Sequence, residues 1–83
     1  MIISNSKNAW HFINQGIISV NYSDFKKAIS QFNKALKLEP ENIVAQFQKA
    51  ITLYKLGSFT QAIINFDKVI SIDPKHIDAL HNK

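Results

Sequence analysis

The chain contains no cysteine and no arginine, and only two glycines and two prolines among its 83 residues. Without cysteine it can form neither disulfides nor thiolate metal sites. The scarcity of glycine and proline argues against disorder and low complexity. The formal net charge of +4 comes entirely from lysine on the basic side. Nucleic-acid binders favour arginine for bidentate and stacked contacts. The excess of lysine therefore indicates a solvated surface rather than a surface that binds a nucleic-acid backbone.

The sequence also lacks a membrane span and a recognisable leader. No stretch approaches the roughly 18 consecutive apolar residues that a spanning helix requires. The segment 1–7 has no charged start followed by an apolar core, so no secretory signal is predicted. A cytoplasmic location is therefore the default expectation. At this length the chain forms at most one small domain.

The sequence contains no combination of residues spaced for catalysis or for metal binding. His76 and His81 are five residues apart, a spacing that does not bring two side chains onto one helical face, and His11 is remote in sequence. We find no pair of carboxylates placed for acid–base work, no phosphate-binding glycine loop and no nucleophile with a base. The sequence therefore predicts no enzyme, no cofactor and no metal site.

What the chain does contain is an internal repeat. Segment 25–40 matches segment 59–74 without a gap, at an offset of 34 residues. The identical pairs are Phe25/Phe59, Ala28/Ala62, Ile29/Ile63, Phe32/Phe66, Lys34/Lys68 and Pro40/Pro74. A fixed period of this length indicates stacked supersecondary units, none of which can bury its apolar face alone. The pattern favours a scaffold that binds something over a catalytic pocket.

Apolar residues at helical spacing predict two helices in each unit and the beginning of a fifth helix after Asp73-Pro74. The first helix is expected from about Asn8 to Tyr22. Pro40 should end the second helix upstream, because the residue before a proline disfavours helical dihedrals. The expected N-caps are Ser23 or Asp24, Asn42 and Ser58, and Gly57 suits the left-handed C-terminal position.

A 34-residue helix-turn-helix unit with these features resembles the tetratricopeptide repeat. The family has a small residue in the middle of its first helix, a small–aromatic–small pattern in its second, and a closing proline. The matching residues are Gly16, Ala28, Phe32, Ala35 and Pro40 in the first unit, and Ala50, Ala62, Phe66, Val69 and Pro74 in the second. Two units in register make the resemblance specific.

The resemblance implies an all-α fold, a right-handed superhelical stack of antiparallel helix-turn-helix repeats. Its boundaries would be an N-terminal extension 1–8, a first repeat 9–42, a second repeat 43–76, and the start of a third repeat or a capping helix at 77–83. The second unit departs from the family pattern. Gln46 replaces the large aromatic that is Phe12 in the first unit, and Gln15 and Lys49 replace a leucine.

In such a fold the first helix of each repeat lines a concave groove. The resemblance thus implies a non-catalytic protein–protein interaction module that docks a peptide or amphipathic helix of a partner protein. The groove residues carried over by position are Ile13, Asn14, Ile17, Val20, Asn21, Phe47, Gln48, Ile51, Tyr54, Lys55, His81 and Asn82. They form a mostly apolar floor with several amides, which favours an apolar or amphipathic partner segment.

Some family members hold the acidic tails of chaperones in a carboxylate clamp built from lysine, arginine and asparagine. The corresponding positions here are Ile13, Ile17, Gln48, Asp78 and Asn82. None of these residues is a cation, and the carboxylate at the fourth position would repel the tail. The sequence therefore argues against an acidic chaperone tail as the ligand.

Two other interpretations stay open at this point. The exposed apolar repeat faces could pair copies of the chain into a homo-oligomer, which would make the protein a structural or assembly module, or they could be covered by further repeats of a longer protein. RNA binding through a related helical repeat is a weaker alternative. Pro40, Pro74 and the absence of arginine speak against it.

Overall fold

The computed structural model describes the backbone of residues 3–73 and the side chains of residues 8–73. Over this range the chain forms four helices, α1 (Ile3–Asn21), α2 (Phe25–Leu38), α3 (Ile43–Leu56) and α4 (Phe59–Ile72), and no strand. Each helix packs against the next along the chain, and α1 also touches α3 weakly. The predicted all-α architecture of consecutive helix pairs is confirmed. The predicted fifth helix lies outside the described residues.

The helix ends follow the predicted local chemistry at three places. The Asp24 carboxylate accepts the backbone N–H of Lys27 at 3.3 Å and caps α2. The Asn42 side chain accepts the N–H of Ala45 at 3.0 Å and caps α3. Gly57 ends α3 with a φ of 93°, in the left-handed region that glycine adopts without a steric penalty.

Two expectations about helix ends need correction. Ser58 precedes α4 as predicted, but its side chain makes no capping hydrogen bond. The first helix starts at Ile3 rather than near Asn8. The segment 3–8 contains no glycine or proline, so nothing in it breaks the helix before the predicted start.

The same turn joins the two helices of each pair. Ser23 follows α1 with a φ of 61°, and Gly57 occupies the equivalent place after α3. In the first turn the N–H of Asp24 donates to the carbonyl of Ser19 at 2.8 Å, and in the second the N–H of Ser58 donates to that of Leu53 at 2.9 Å. The two donors are 34 residues apart in the sequence, and so are the two acceptors. The repeat period therefore also holds for these backbone hydrogen bonds.

Small residues let α1 and α2 approach closely around one aromatic ring. Phe32 is fully buried, together with Ala9, Ile13, Ala28, Ala35 and Ala45. A Cβ atom added at Gly16 would lie 2.4 Å from the Phe32 ring, closer than any real contact. Glycine is therefore required here for the ring to rest on the α1 backbone. Gly16 is the residue that the family resemblance matched to the small position in the first helix.

Candidate peptide-binding surface

Ten of the twelve predicted groove residues lie on α1 and α3, within the described part of the chain, whereas His81 and Asn82 lie outside it. The ten differ in accessibility. The exposed ones are Asn14, Asn21, Tyr54 and Lys55, and the half-buried ones are Ile17, Val20, Phe47, Gln48 and Ile51. We refer to these nine as the concave surface, after the face on which the family resemblance predicts them.

Ile13 does not belong to this surface. Its side chain is completely buried in the core cluster, which α1 and α2 form together with Ala45 of α3. A residue with no accessible surface cannot contact a partner, so the expectation that Ile13 lines an open groove needs correction. The predicted groove residues of the first repeat that are apolar and still partly accessible are Ile17 and Val20, which pack against the core from its edge.

Two edge-to-face ring contacts fix the aromatic residues of α3. The Phe47 ring lies 6.0 Å from that of Phe66, between centroids, and the Tyr54 ring lies 5.2 Å from that of Phe59. Phe47 thereby joins α3 to α4, so part of its role is structural. Tyr54 is 62% exposed although one side of its ring is held. It is an accessible aromatic whose orientation is set before any partner arrives.

The electrostatics of the concave surface are simple. Neither α1 nor α3 contains an acidic residue, and Lys55 is the cation at the end of α3. The Thr52 hydroxyl donates to the carbonyl of Gln48 at 2.7 Å, so it is satisfied within its own helix. Among the described residues no group of histidines and carboxylates could hold a metal ion. The surface therefore offers apolar contact, amides and one positive charge.

Sequence reasoning missed two features. The first is a cleft of about 490 Å³ between the C-terminal halves of α2 and α4, lined by Gln46, Lys49 and Lys68 among others. Burial lowers the pKa of Lys49 below its ordinary value of 10.5, and the nearby charge of Lys68 lowers it further. The departures of Gln46 and Lys49 from the apolar family pattern were the signal for this cleft.

The second missed feature is an apolar face on α4. Phe59 is 56% exposed and Ile63 is 61% exposed, whereas their counterparts in α2, Phe25 and Ile29, are half-buried. The difference follows from position in the stack. α2 packs against both α1 and α3, while α4 packs, among the described helices, mainly against α3.

Within the described residues no helix has the length and apolar character needed to span a membrane. A sequence model of the tetratricopeptide repeat family matches residues 22–83. An uncharacterized protein of Methanocaldococcus jannaschii is 38% identical to this chain over 55 residues. That match covers 66% of this chain and 64% of the relative, so the chain spans less than two thirds of the relative's length.

The family match includes both matching turns and both small–aromatic–small patterns of the second helices. Members of this family are in general protein-interaction modules and are typically non-catalytic. The four consecutively packed helices of the fold are consistent with repeats of this family, although the matched residues begin after α1. We conclude that the chain belongs to the tetratricopeptide repeat family.

Proposed function

We propose that the chain docks an apolar or amphipathic segment of a partner protein along its concave surface and catalyses no reaction. The observation that carries this proposal is the state of Tyr54, an aromatic ring that is mostly exposed yet oriented by Phe59. Exposed aromatics of this kind dominate the energetics of protein interfaces, because they bury a large area at a small cost in conformational entropy.

The remaining concave residues define the chemistry of the ligand. Ile17, Val20 and Ile51 are half-buried, so each still has apolar surface to cover. The side-chain amides of Asn14 and Asn21 are exposed and can both donate to and accept from a peptide backbone. A segment with apolar residues at helical or alternating spacing would satisfy both groups. With no acid on α1 or α3, acidic flanks on that segment would meet no repulsion there.

Tyr54→Ala is the substitution that tests this docking mode. Peptides would first be selected from a displayed random library, and their affinities then measured by fluorescence polarisation. We expect the selected peptides to share apolar residues and to bind the variant about tenfold more weakly, the equivalent of roughly 1.4 kcal/mol for a lost aromatic anchor. Each substitution removes one ring contact with α4, but Phe47→Ala is less informative, because Phe47 is half-buried and its removal also costs packing within the fold.

Tyr22→Ala provides a matched control. Tyr22 is 82% exposed and follows α1, outside the concave surface. Its removal should change peptide affinity less than about twofold, the range of surface substitutions away from an interface. Peptides that tolerate Tyr54→Ala, or that respond equally to both tyrosine substitutions, would overturn the docking mode.

The exposed apolar face of α4 favours a second candidate, a structural or assembly module that self-associates. A second copy of the chain could cover Phe59 and Ile63 as α3 and α1 together cover the equivalent face of α2. Sedimentation across a concentration series tests this directly. Self-association predicts a dimer or larger species, and a monomer at every concentration would rule it out.

Adjacent isoleucines of α4 give this test its control. Ile63→Glu places a charge on the apolar face and should convert a dimer to monomer. Ile64→Glu adds the same charge one residue later, at the position equivalent to Ser30, which is exposed in α2. It should leave the mass unchanged. A dimer that survives Ile63→Glu would place the interface elsewhere and contradict pairing through this face.

A further inference from the structure

The contact between α2 and α3 shows how one repeat of this chain packs against the next. α3 packs against both α2 and α4, whereas α1 packs mainly against α2, and no described helix precedes it. Equivalent residues of α1 and α3 that differ in burial therefore mark the surface that a preceding repeat covers. Ala45 and Thr52 of α3 have no accessible surface. Their counterparts in α1, His11 and Ile18, are exposed.

His11, Gln15 and Ile18 form what we call the leading face of α1. Their spacing of four and then three residues places them on one side of the helix. Ile18 is 47% exposed, although its counterpart in α3 is the completely buried Thr52. Gln15 is exposed, whereas its counterpart Lys49 is half-buried. At two of these three positions α1 thus has a residue that loses its hydration more readily than its counterpart in α3 does.

Phe59 and Ile63 form the trailing face of α4, at the other end of the described stack. Their counterparts in α2, Phe25 and Ile29, are half-buried, and α3 is the helix that follows α2 and packs against it. The trailing face is thus the equivalent of the α2 surface, but it lacks a covering helix among those described. Neither the leading nor the trailing face contains a lysine or a carboxylate, so bringing the two together opposes no like charges of these groups.

We infer that a second copy of this chain covers these faces head to tail, with the leading face of one copy packed on the trailing face of the next. The contact repeats between chains the packing of α3 on α2 within one chain. This inference rests on the self-association proposed above, and it specifies that α1 of one copy covers α4 of another. Because the contact joins two different surfaces, each added copy leaves one face of each kind unused, and assembly continues beyond the dimer.

Two blocking variants and their mixture test the head-to-tail contact. Analytical ultracentrifugation follows the whole chain across a concentration series, and we expect the mass to rise beyond that of a dimer. Ile18→Glu should block the leading face, and Ile63→Glu should block the trailing face. Each should weaken association roughly a hundredfold or more, because the new carboxylate would lose its hydration in the contact. An equimolar mixture of the two should form a dimer and nothing larger, since each variant supplies the face that the other lacks.

Ile64→Glu is the matched control for Ile63→Glu. Its counterpart Ser30 stays exposed in α2 although α3 packs against that helix, so the position lies outside the contact. This variant should associate as the wild type does. Circular dichroism would verify that all three variants keep their helices, and recovery of association in the mixture would show that both blocked variants are folded.

Three results would overturn the head-to-tail contact. Association that stops at a dimer and survives Ile18→Glu would do so while leaving self-association through α4 in place. An equimolar mixture that stays monomeric would show that the two faces do not pair with each other. A wild type that is monomeric at every concentration would overturn both the contact and the self-association on which it rests, and would leave the two faces to another protein or to further repeats.

Discussion

Phe32 is buried completely in the first repeat, whereas Phe66, its counterpart in the second repeat, is only half-buried. The two repeats also differ in the residue that faces this ring from the first helix. Gly16 has no Cβ atom, and one placed there would collide with the Phe32 ring at 2.4 Å. Ala50 has a Cβ atom at the equivalent position, and we expect it to hold the Phe66 ring farther from the α3 backbone than Gly16 holds Phe32 from that of α1.

The outer faces of the repeats differ for a second reason, which is position in the stack. The α2 helix has a neighbour on each side, so Phe25 and Ile29 are half-buried. The equivalent residues of α4, Phe59 and Ile63, are mostly exposed. The same side chains at the same period therefore differ in burial because of what lies next to them.

The largest expected effect is the difference between truncating the two phenylalanines. Phe32→Ala should lower the free energy of unfolding by about 3–5 kcal/mol, the usual cost of removing a fully buried aromatic. Phe66→Ala should cost roughly half as much, because less of its ring leaves water on folding. Urea denaturation followed by circular dichroism measures both values.

Phe32→Leu and Phe66→Leu serve as controls that leave smaller cavities. The first repeat should again be the more sensitive of the two. If Phe66→Ala proves as costly as Phe32→Ala, the second repeat is packed as well as the first, and the contrast between Gly16 and Ala50 has no energetic consequence.

The next effect concerns Gly16 itself. Gly16→Ala gains up to about 1 kcal/mol of helix propensity, but its methyl group would overpack against Phe32, which typically costs about 1–3 kcal/mol. We expect a net loss of roughly 1 kcal/mol. Ala50→Gly in the second repeat should also destabilise, by about 0.5–1 kcal/mol, for the opposite reason that a flexible glycine enters a helix. Thermal or urea unfolding compares the two.

A double-mutant cycle separates the steric term from the propensity term. In a Phe32→Leu background the smaller side chain should relieve the clash, and Gly16→Ala should then be neutral or stabilising. If Gly16→Ala stabilises the protein when Phe32 is present, the ring can move aside and the close approach of α1 and α2 is not required.

Much of the fold was predictable because its determinants are local. The caps at Asp24 and Asn42 depend on hydrogen bonds to residues three positions away. The left-handed turn at Gly57 depends on the conformational freedom of one residue. The family pattern assigned Gly16 to the small position of the first helix and Phe32 to the aromatic position of the second, but their contact became known only from the structure.

The candidate site was less predictable because burial is a property of the assembled helices. Position in the repeat makes Ile13 equivalent to Phe47, yet Ile13 is buried and Phe47 is half-buried. The branched side chain fits within the first helix pair, while the larger ring extends to Phe66. Ser58 illustrates the same limit at a helix end, because it occupies the N-cap without making the bond that this residue type usually makes.

The smallest expected effect is on the free energy of unfolding and concerns Lys49, whose counterpart in the first repeat is Gln15. This effect depends on pH. Because burial and the charge of Lys68 lower the folded-state pKa of Lys49, the charged form of this lysine opposes folding at pH values below that pKa. Lys49→Met should therefore stabilise the protein by about 0.5 kcal/mol, the scale of a charge interaction that solvent partly screens.

This stabilisation should depend on pH. As the pH rises through the folded-state pKa towards 10.5, the unfolded chain binds more protons than the folded one. The stability of the wild type therefore increases relative to that of the variant. Urea unfolding at neutral and alkaline pH should thus show that the difference in stability between the variant and the wild type becomes smaller as the pH rises. A difference that stays constant or widens would mean that Lys49 is no harder to protonate in the folded repeat than in the unfolded chain, and the contrast between Lys49 and Gln15 would lose its electrostatic basis.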